Sequence, residues 1–163
     1  MFIYDEMEQS EEYKTAKDYW TSKLPDFPFA PSLLLKKDPA EIATPKFQSL
    51  TKILDNEKWT KLRKLAQEKE VTPSALLCTI YGDVLAYWSN KSKFAINLTV
   101  FNRYPVHEEV EQIVGDFTSL ILLDVDVKPE QSFFTRVKET QSTLLDGLEH
   151  RHYDGVNFIR DFT

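Results

Sequence analysis

The sequence predicts an α+β fold, and three observations support that prediction. Residues 72–88 carry apolar side chains at helical spacing, residues 94–101 alternate in the manner of a strand, and residues 119–127 form an apolar run shortly after a turn at Gly115. At 163 residues the chain is about one domain long, which is enough to bury a substantial core.

The composition argues against several classes of protein and site. Hydrophobic residues make up 42% of the chain and charged residues 28%, as is ordinary for a soluble globular protein. The net charge of -6 disfavours nucleic-acid binding, and a single cysteine, Cys78, excludes an intrachain disulfide or a cysteine-rich zinc site. The sequence contains neither a recognisable signal peptide nor a membrane-spanning apolar stretch, so we expect a cytoplasmic protein.

The first part of the chain predicts a helix followed by an extended connector. Ser10 is a plausible N-cap for a helix that runs to about Ser22. Three prolines between residues 24 and 35 exclude a helix or an interior strand there. Because this connector is rich in apolar side chains, we expect it to lie against a surface.

The middle of the chain predicts one strand and two helices. Residues 47–54 have the composition of a strand, although their alternation is imperfect. Asp55 or Asn56 begins an amphipathic helix, and Thr72-Pro73 gives a strong start signal for the next one. We expect the aromatic residues at helical spacing to lie in the core: Trp59, Tyr87, Trp88, Phe133 and Phe134.

The last part predicts a sheet and a further helix. Strands are expected at residues 94–101 and 119–127, and Pro129 opens an amphipathic helix. Residues 158–163 end within an amphipathic pattern that has no stop signal, which predicts that the chain is a piece of a longer protein.

Three sequence blocks, taken in order, resemble one protein family. They are residues 24–35 (LPDFPFAPSLLL), 72–88 (TPSALLCTIYGDVLAYW) and 115–123 (GDFTSLILL), with Phe101-Asn102-Arg103 ahead of the last block. The ordered set resembles the heterocyclization domains of nonribosomal peptide synthetases, a branch of the condensation-domain family. The resemblance covers nearly all of the chain, whereas the chain covers only the middle portion of such a domain.

The resemblance implies a particular fold and division of the chain. It implies half of a chloramphenicol-acetyltransferase-like fold, in which two lobes surround a central tunnel, with a mixed sheet and helices on one face. Residues 1–45 would form the end of the N-terminal lobe and the proline-rich connector between lobes. Residues 46–163 would form a partial C-terminal lobe.

The resemblance also implies an activity and its partners. Such a domain, in a bacterial synthetase, condenses a carrier-bound acyl donor with cysteine, serine or threonine and then cyclodehydrates the product to a thiazoline or oxazoline. It binds no cofactor directly, because its substrates arrive on the phosphopantetheine arms of carrier proteins. The implied partners are these carriers, the adjacent adenylation domain and the missing N-terminal lobe; the apolar face left without that lobe makes self-association plausible.

Some motifs of the family are absent. The paired-aspartate motif has no match in this sequence, and the later motifs linked to cyclodehydration are also missing. Residues 150–155 (HRHYDG) look like the HHxxxDG signature of ordinary condensation domains, but their spacing and place are wrong, so we do not interpret them as that motif. We therefore expect that the chain alone does not turn over.

Five residues are the candidates for the site. Asn102, Asp116 and Thr118 are the candidate catalytic residues, and Thr99 and Ser119 are the candidate tunnel residues. A carboxylate or hydroxyl in a dry tunnel suits the proton transfers that condensation and cyclisation need. Asn102 has the amide that would bind a substrate carbonyl or a developing oxyanion.

Each candidate also has a structural interpretation. Asp116 can cap a turn or pair with Arg103, Asn102 can hold the next turn, and hydroxyls at a strand start are usually structural. The three histidines, His107, His150 and His152, lack a convergent third ligand, so we expect them on the solvated surface. Cys78 lies on a core helix, where an inert buried thiol is expected.

Three other functions remain open from the sequence. An ordinary condensation domain forms only an amide, and it would carry Phe-Val-Asn in place of Asp116-Phe117-Thr118. A non-catalytic scaffold would only bind carrier proteins. A stand-alone acyltransferase of the same fold would need an active-site histidine motif, which we do not find.

Overall fold

The computed structural model describes residues 7–105 and 107–162, so residues 1–6 of the predicted first segment and Thr163 lie outside it. Its α-helices and strands are α1 (Glu11–Lys23), α2 (Asn56–Glu68), α3 (Pro73–Ser89), β1 (Lys93–Phe101), β2 (Thr118–Asp126), α4 (Phe133–Glu149) and α5 (Gly155–Phe162). Short 3-10 turns lie at Leu24–Asp26, Pro39–Glu41 and Val110–Gln112. The mixture of helices with a sheet confirms the predicted α+β class.

The chain forms two compact units, each assembled from separate parts of the sequence. The first unit contains the described residues up to Ala30, Lys93–Asp126, and the described residues from Ser142 onward. The second contains Pro31–Ser92 and Val127–Gln141, so α4 contributes residues to both. The predicted lobe boundary between residues 45 and 46 stays a prediction.

Local capping explains where the first helices begin. The Ser10 hydroxyl accepts a hydrogen bond of 3.1 Å from the backbone N–H of Tyr13, and this starts α1 as predicted. The Thr72 hydroxyl does the same for the N–H of Ala75 at 3.1 Å, with Pro73 as the first helical residue of α3.

The remaining long helices agree with the sequence to different degrees. Asp55 caps α2 as predicted, through a 2.8 Å hydrogen bond from the N–H of Lys58. The helix α4 begins at Phe133 rather than at Pro129, where we predicted it. The Ser132 hydroxyl supplies its cap, and side-chain capping is a stronger start signal than proline alone.

The sheet consists of β1 and β2, which pair antiparallel from Lys93 opposite Asp126 to Phe101 opposite Thr118. Both strands are where the sequence predicts them, within about one residue at their ends. The prediction of a mixed sheet is wrong for the described residues, because these two strands are the only ones that pair.

The predicted strand at residues 47–54 does not form. This segment has no regular structure, and Phe47, Leu50 and Ile53 are more than four-fifths exposed. A strand needs a neighbour to accept its backbone hydrogen bonds, and no described segment pairs with it. Strand-like composition alone therefore does not produce a strand here.

An aromatic cluster forms the core of the first unit. It joins Ala16 and Trp20 of α1, Leu122 of β2, and Tyr153 and Phe158 near α5. The Trp20 indole N–H donates a 3.0 Å hydrogen bond to the backbone carbonyl of His150, the residue directly after α4, so the buried indole nitrogen has a hydrogen-bond partner. This packing fixes α1 and α5 around the middle of β2.

The buried core of the second unit is aliphatic. Its buried members are Ala66, Val71, Ala75, Leu76 and Val137. Phe133 and Phe134 pack against it as half-buried residues. The guanidinium of Arg136 donates two hydrogen bonds to the carboxylate of Asp83, which links α4 to α3.

The helix α3 carries an exposed apolar stripe, which we define as its outward apolar residues: Leu77, Ile80, Tyr81, Val84, Tyr87 and Trp88. The prediction that Tyr87 and Trp88 lie in the core is wrong, because these side chains are 81% and 66% exposed. The buried residues of this helix, among them Ala75, Leu76 and Thr79, lie on its other side.

The proline-rich connector lies against a surface at one end only. Phe27 packs on Trp20 and Phe158, and the Phe29 carbonyl accepts a 3.0 Å hydrogen bond from the N–H of Ala95 in β1. Leu34, by contrast, is 96% exposed.

Among the described residues, no helix is both long and apolar enough to span a bilayer.

Candidate active site

A cavity of about 360 Å³ lies in the first unit, where β1 ends and β2 begins. Its wall contains residues from α1 and the segment before it, from the sheet end and the loop that joins the strands, and from the start of α5 and the segment before it: Met7, Glu8, Tyr13, Asn102, Tyr104, Val110, Ile113, Asp116, Phe117, Thr118, Ser119, His152, Asp154 and Asn157. Four of the five predicted site residues therefore line one cavity.

The register of the sheet brings the candidates together. Phe101 is paired with Thr118, and one residue further on the N–H of Asn102 donates a 2.8 Å hydrogen bond to the carbonyl of Phe117. Because an antiparallel pair places the end of one strand beside the start of the next, Asn102 and Asp116 meet at one end of the sheet. Their 13 intervening residues form the loop between them.

The Asn102 side chain presents an acceptor to its surroundings. Its Nδ2 donates a 3.4 Å hydrogen bond to the carbonyl of Arg151, which also accepts a 3.1 Å hydrogen bond from the Tyr104 hydroxyl. The Oδ1 atom is buried and has no hydrogen-bond partner among the described residues. The predicted use of Asn102 as a donor to an oxyanion would fall to the second N–H of Nδ2, because the first is donated to the Arg151 carbonyl.

Asp116 caps the turn that leads into β2. Its Oδ1 accepts a 2.8 Å hydrogen bond from the backbone N–H of Thr118. The side chain and the backbone N–H of Thr118 both lower the pKa of Asp116 below its ordinary value, so the carboxyl is ionised at neutral pH. A carboxylate with a lowered pKa is a weak general base, which favours an orienting role over proton abstraction.

Arg103 does not pair with Asp116, contrary to the interpretation that made it the obvious partner. Its two terminal nitrogens donate to the carbonyls of Val110 at 2.8 Å and Ile113 at 3.1 Å. The guanidinium thereby holds the loop that precedes the Asp116 turn.

Ser119 is joined to Asp154 by a short hydrogen bond. The Ser119 hydroxyl donates to Oδ2 of Asp154 at 2.6 Å, and the Ser119 side chain is buried. Sequence reasoning missed Asp154, because we set residues 150–155 aside as an imperfect copy of another motif. The available signal was a different one: an aspartate directly before an amphipathic segment is a typical helix N-cap.

The two threonines have different surroundings. Thr118 lines the cavity and its side chain is exposed. Thr99 is also exposed, but it lies within β1 opposite Leu120 and does not line the cavity. The roles of all five candidates stay predictions.

The prediction of solvated histidines is wrong for His150 and His152, whose rings are half-buried and packed. The His150 ring stacks on Tyr19 with a centroid distance of 3.9 Å, and the His152 ring stacks on Tyr104 at 4.6 Å. Burial is the main cause that lowers the pKa of His152. No group of three or more potential metal ligands occurs within residues 7–105 and 107–162.

Cys78 is half-buried, where we predicted a buried thiol. Burial raises the pKa of this thiol, which favours the unreactive protonated form at neutral pH.

Comparison with known proteins identifies the class. The chain matches the family described as "Condensation domain" over residues 2–161. Since this match covers nearly all of the sequence, the chain belongs to the condensation-domain family, as the resemblance implied.

Its curated relatives are large synthetases. The chain is 49% identical to bacitracin synthase 1 of Bacillus licheniformis over 154 residues, which is 94% of this chain and 3% of that protein. It is 31% identical over 153 residues to pyochelin synthetase PchF of Pseudomonas aeruginosa, covering 94% of this chain and 8% of PchF. It is 33% identical over 150 residues to phenyloxazoline synthase MbtB of Mycobacterium sp. (strain MCS), which covers 89% of this chain and 12% of MbtB. The chain thus spans a small fraction of each relative.

Solved structures confirm the fold. The EpoB cyclization-docking bidomain from Sorangium cellulosum superposes with a TM-score of 0.87 at 31% identity, covering 98% of this chain and 32% of that one. The first condensation domain of the calcium-dependent antibiotic synthetase superposes with a TM-score of 0.78 at 20% identity. The superposition covers 98% of this chain and 36% of that one, and at this identity it supports the fold alone. These similarities confirm the predicted chloramphenicol-acetyltransferase-like α+β architecture.

Proposed function

We propose that the chain is part of a heterocyclization domain of a nonribosomal peptide synthetase. The parent domain would join a carrier-bound acyl donor to cysteine, serine or threonine and would then remove water to form a thiazoline or oxazoline. The observation that supports this most is the segment Asp116-Phe117-Thr118-Ser119, which lines the cavity together with Asn102. An ordinary condensation domain would carry Phe-Val-Asn at the first three of these positions.

Two relatives support the cyclising subtype by name. Phenyloxazoline synthase MbtB and the EpoB cyclization-docking bidomain are at 33% and 31% identity, and both names refer to ring formation or a ring-containing product. We infer that this chain serves the same kind of step. Its substrates would be held on phosphopantetheine arms of carrier proteins, with an adenylation domain next to it and the N-terminal lobe of the same domain beside it.

The cavity suggests how its residues would act. Asp116 would order the entrance to β2 as an ionised turn cap, and its lowered pKa makes it a poor proton acceptor. Asn102 would offer Oδ1 to an N–H or O–H of the bound intermediate. Thr118 and Ser119 would contact the intermediate from the start of β2, and Thr99 would contribute from β1 in the assembled tunnel.

An assay of the parent synthetase with both carriers loaded tests the proposal. The expected product of a cysteine-loaded acceptor carrier is lighter than the linear amide by one water, as measured by mass spectrometry of the carrier-bound product. Substrates that stay unchanged in the presence of active, loaded carriers would instead indicate a non-catalytic scaffold. Acylation of a free acceptor without carriers would indicate a stand-alone acyltransferase.

An ordinary condensation domain is the second candidate. Its support is the 49% identity to bacitracin synthase 1, whose name does not refer to cyclisation. The same assay separates the two functions, because accumulation of the linear amide without loss of water would favour this candidate and contradict ours.

We further propose that this chain alone forms no product. It corresponds to 32% of the EpoB bidomain chain, so most of that chain has no counterpart in it. Incubation of the isolated chain with both loaded carriers should leave the acyl donor on its carrier. Transfer of the donor by the chain alone would contradict the proposal.

A further inference from the structure

We propose that Asp154 is a positioning residue of this site, which fixes the start of β2 to the start of α5 by holding the Ser119 hydroxyl. This inference rests on the proposed function only in assuming that the cavity serves acyl transfer. It gives a role to residues 150–155, a motif that the proposed function does not use.

Both carboxylate oxygens of Asp154 are engaged, and they bind different elements. Oδ2 accepts the Ser119 hydroxyl at 2.6 Å, and Oδ1 accepts the backbone N–H of Asn157 at 2.9 Å. The Asp154 carbonyl also accepts the N–H of Phe158 at 2.9 Å, which is the first hydrogen bond of α5. The Asp154 carboxylate therefore caps α5 and accepts a hydrogen bond from β2 at the same time.

The neighbouring glycine allows this short connection. A Cβ atom added to Gly155 would lie 3.2 Å from the carbonyl oxygen of Leu120 and 3.2 Å from Cγ of Leu122. The first turn of α5 thus lies directly on β2, at a separation that leaves little room for a side chain. This close approach puts the Asp154 carboxylate within reach of Ser119.

The hydrogen bond also sets what Ser119 can offer to a ligand. A hydroxyl has one proton, and that of Ser119 is donated to Asp154. Toward the cavity its oxygen can therefore act only as an acceptor. Loss of Asp154 would free the hydroxyl to rotate and would remove the side-chain hydrogen bond between α5 and β2 beside Thr118.

The test measures amide formation by the parent synthetase with saturating loaded carriers, divided by the folded fraction of each variant. We expect D154A to reduce this rate about tenfold, because small displacements of positioning groups cost large factors in rate. D154N should stay within about threefold of wild type, since asparagine still caps a helix and its amide can donate to the Ser119 oxygen.

A matched control separates positioning from simple helix capping. Asp55 caps α2 through the N–H of Lys58 at 2.8 Å, is exposed, and does not line the cavity. D55A should therefore leave the rate per folded molecule unchanged although it removes the same kind of cap. If D154A also leaves that rate unchanged, Asp154 is only a helix cap and the inference is wrong.

S119A provides a milder variant, which keeps the helix cap intact. If Asp154 acts through Ser119, S119A should slow the reaction, and S119A/D154A should be no slower than D154A alone. Multiplied effects of the two changes would overturn the inference. Failure of the proposed function would be seen in a different measurement, because the wild-type synthetase would then give a linear amide in place of a ring.

Discussion

The guanidinium carbon of Arg103 lies 4.0 Å from the centre of the Phe117 ring. The Arg103 side chain is only 13% exposed, and its terminal nitrogens bind the carbonyls of Val110 and Ile113. One cation thus links the loop after β1 with the residue that follows Asp116. The geometry suits arginine, because a planar guanidinium can stack and donate in its own plane at once.

We predict that R103K lowers the free energy of unfolding by about 1–2 kcal/mol, because lysine cannot keep both hydrogen bonds and the stacking. Urea denaturation of the chain measures this. R63K is the matched control, since Arg63 is exposed on α2 and should tolerate lysine without loss. Equal effects of the two changes would show that Arg103 does not hold the loop.

We predict that alanine has opposite effects on stability at Gly155 and at Gly147. G155A should destabilise the chain by about 1 kcal/mol or more, because the new Cβ meets a backbone oxygen and the buried Leu122 side chain at 3.2 Å. G147A should stabilise it by about 0.5–1 kcal/mol, because Gly147 lies within α4 and its added Cβ has ordinary contacts at 3.8 Å.

Thermal or urea unfolding of both glycine variants checks this pair. The helix propensity of alanine favours both changes, so the difference between them isolates the close approach of α5 to β2. If G155A stabilised the chain, the Leu122 side chain would be able to move aside at no cost. The close packing of α5 on β2 would then not contribute to the free energy of unfolding.

The Asp116 turn should weaken in acid. A lowered folded-state pKa means that ionised Asp116 stabilises the fold at pH values above the ordinary pKa. This contribution is lost as the pH falls through the lowered folded-state pKa. T118V removes the hydroxyl contribution but keeps the backbone N–H, so it should move the pKa of Asp116 part of the way back toward the ordinary value.

Carbon-detected NMR titration of the Asp116 carboxyl measures this pKa directly. The titration midpoint in T118V should lie above that of the wild type, and both should lie below the value in the unfolded chain. An unchanged midpoint in T118V would leave the backbone N–H as the sole cause.

The apolar stripe of α3 should make the isolated chain associate with itself. Contiguous exposed apolar surface promotes association, and Tyr87 at 81% exposure is the most exposed aromatic residue of the stripe. Y87E should therefore shift the chain toward the monomer in light scattering coupled to size-exclusion chromatography. Q67E, which adds the same charge at an exposed position of α2, should not. A monomeric wild-type chain at high concentration would contradict this prediction.

The parts of the fold that depend on nearby residues could be predicted from sequence. Ser10, Asp55 and Thr72 each start a helix through a hydrogen bond to a residue three positions ahead, so their signals are local. The strands β1 and β2 were also predictable, since alternation in one and a buried run in the other are properties of short segments.

The parts that depend on distant residues could not be predicted. The exposure of Tyr87 and Trp88 depends on what covers α3, and helical spacing gives no information about that. The segment at residues 47–54 has strand-like composition but lacks a partner. At the site, the sequence motifs contain the four candidates that line the cavity, whereas Asp154 lies 35 residues from Ser119 and only the folded chain joins them.

The contact between Trp20 and the carbonyl of His150 spans 130 positions of sequence. A ribosome therefore releases α1 long before it makes the last helix against which the Trp20 ring packs. Until then the indole has no permanent cover, and this unit can complete its core only after α5 has been synthesised. Slow translation of the intervening segment would lengthen the time in which nascent chains can associate. Co-expression of a chaperone that shields aromatic surface should therefore raise the yield of correctly assembled molecules.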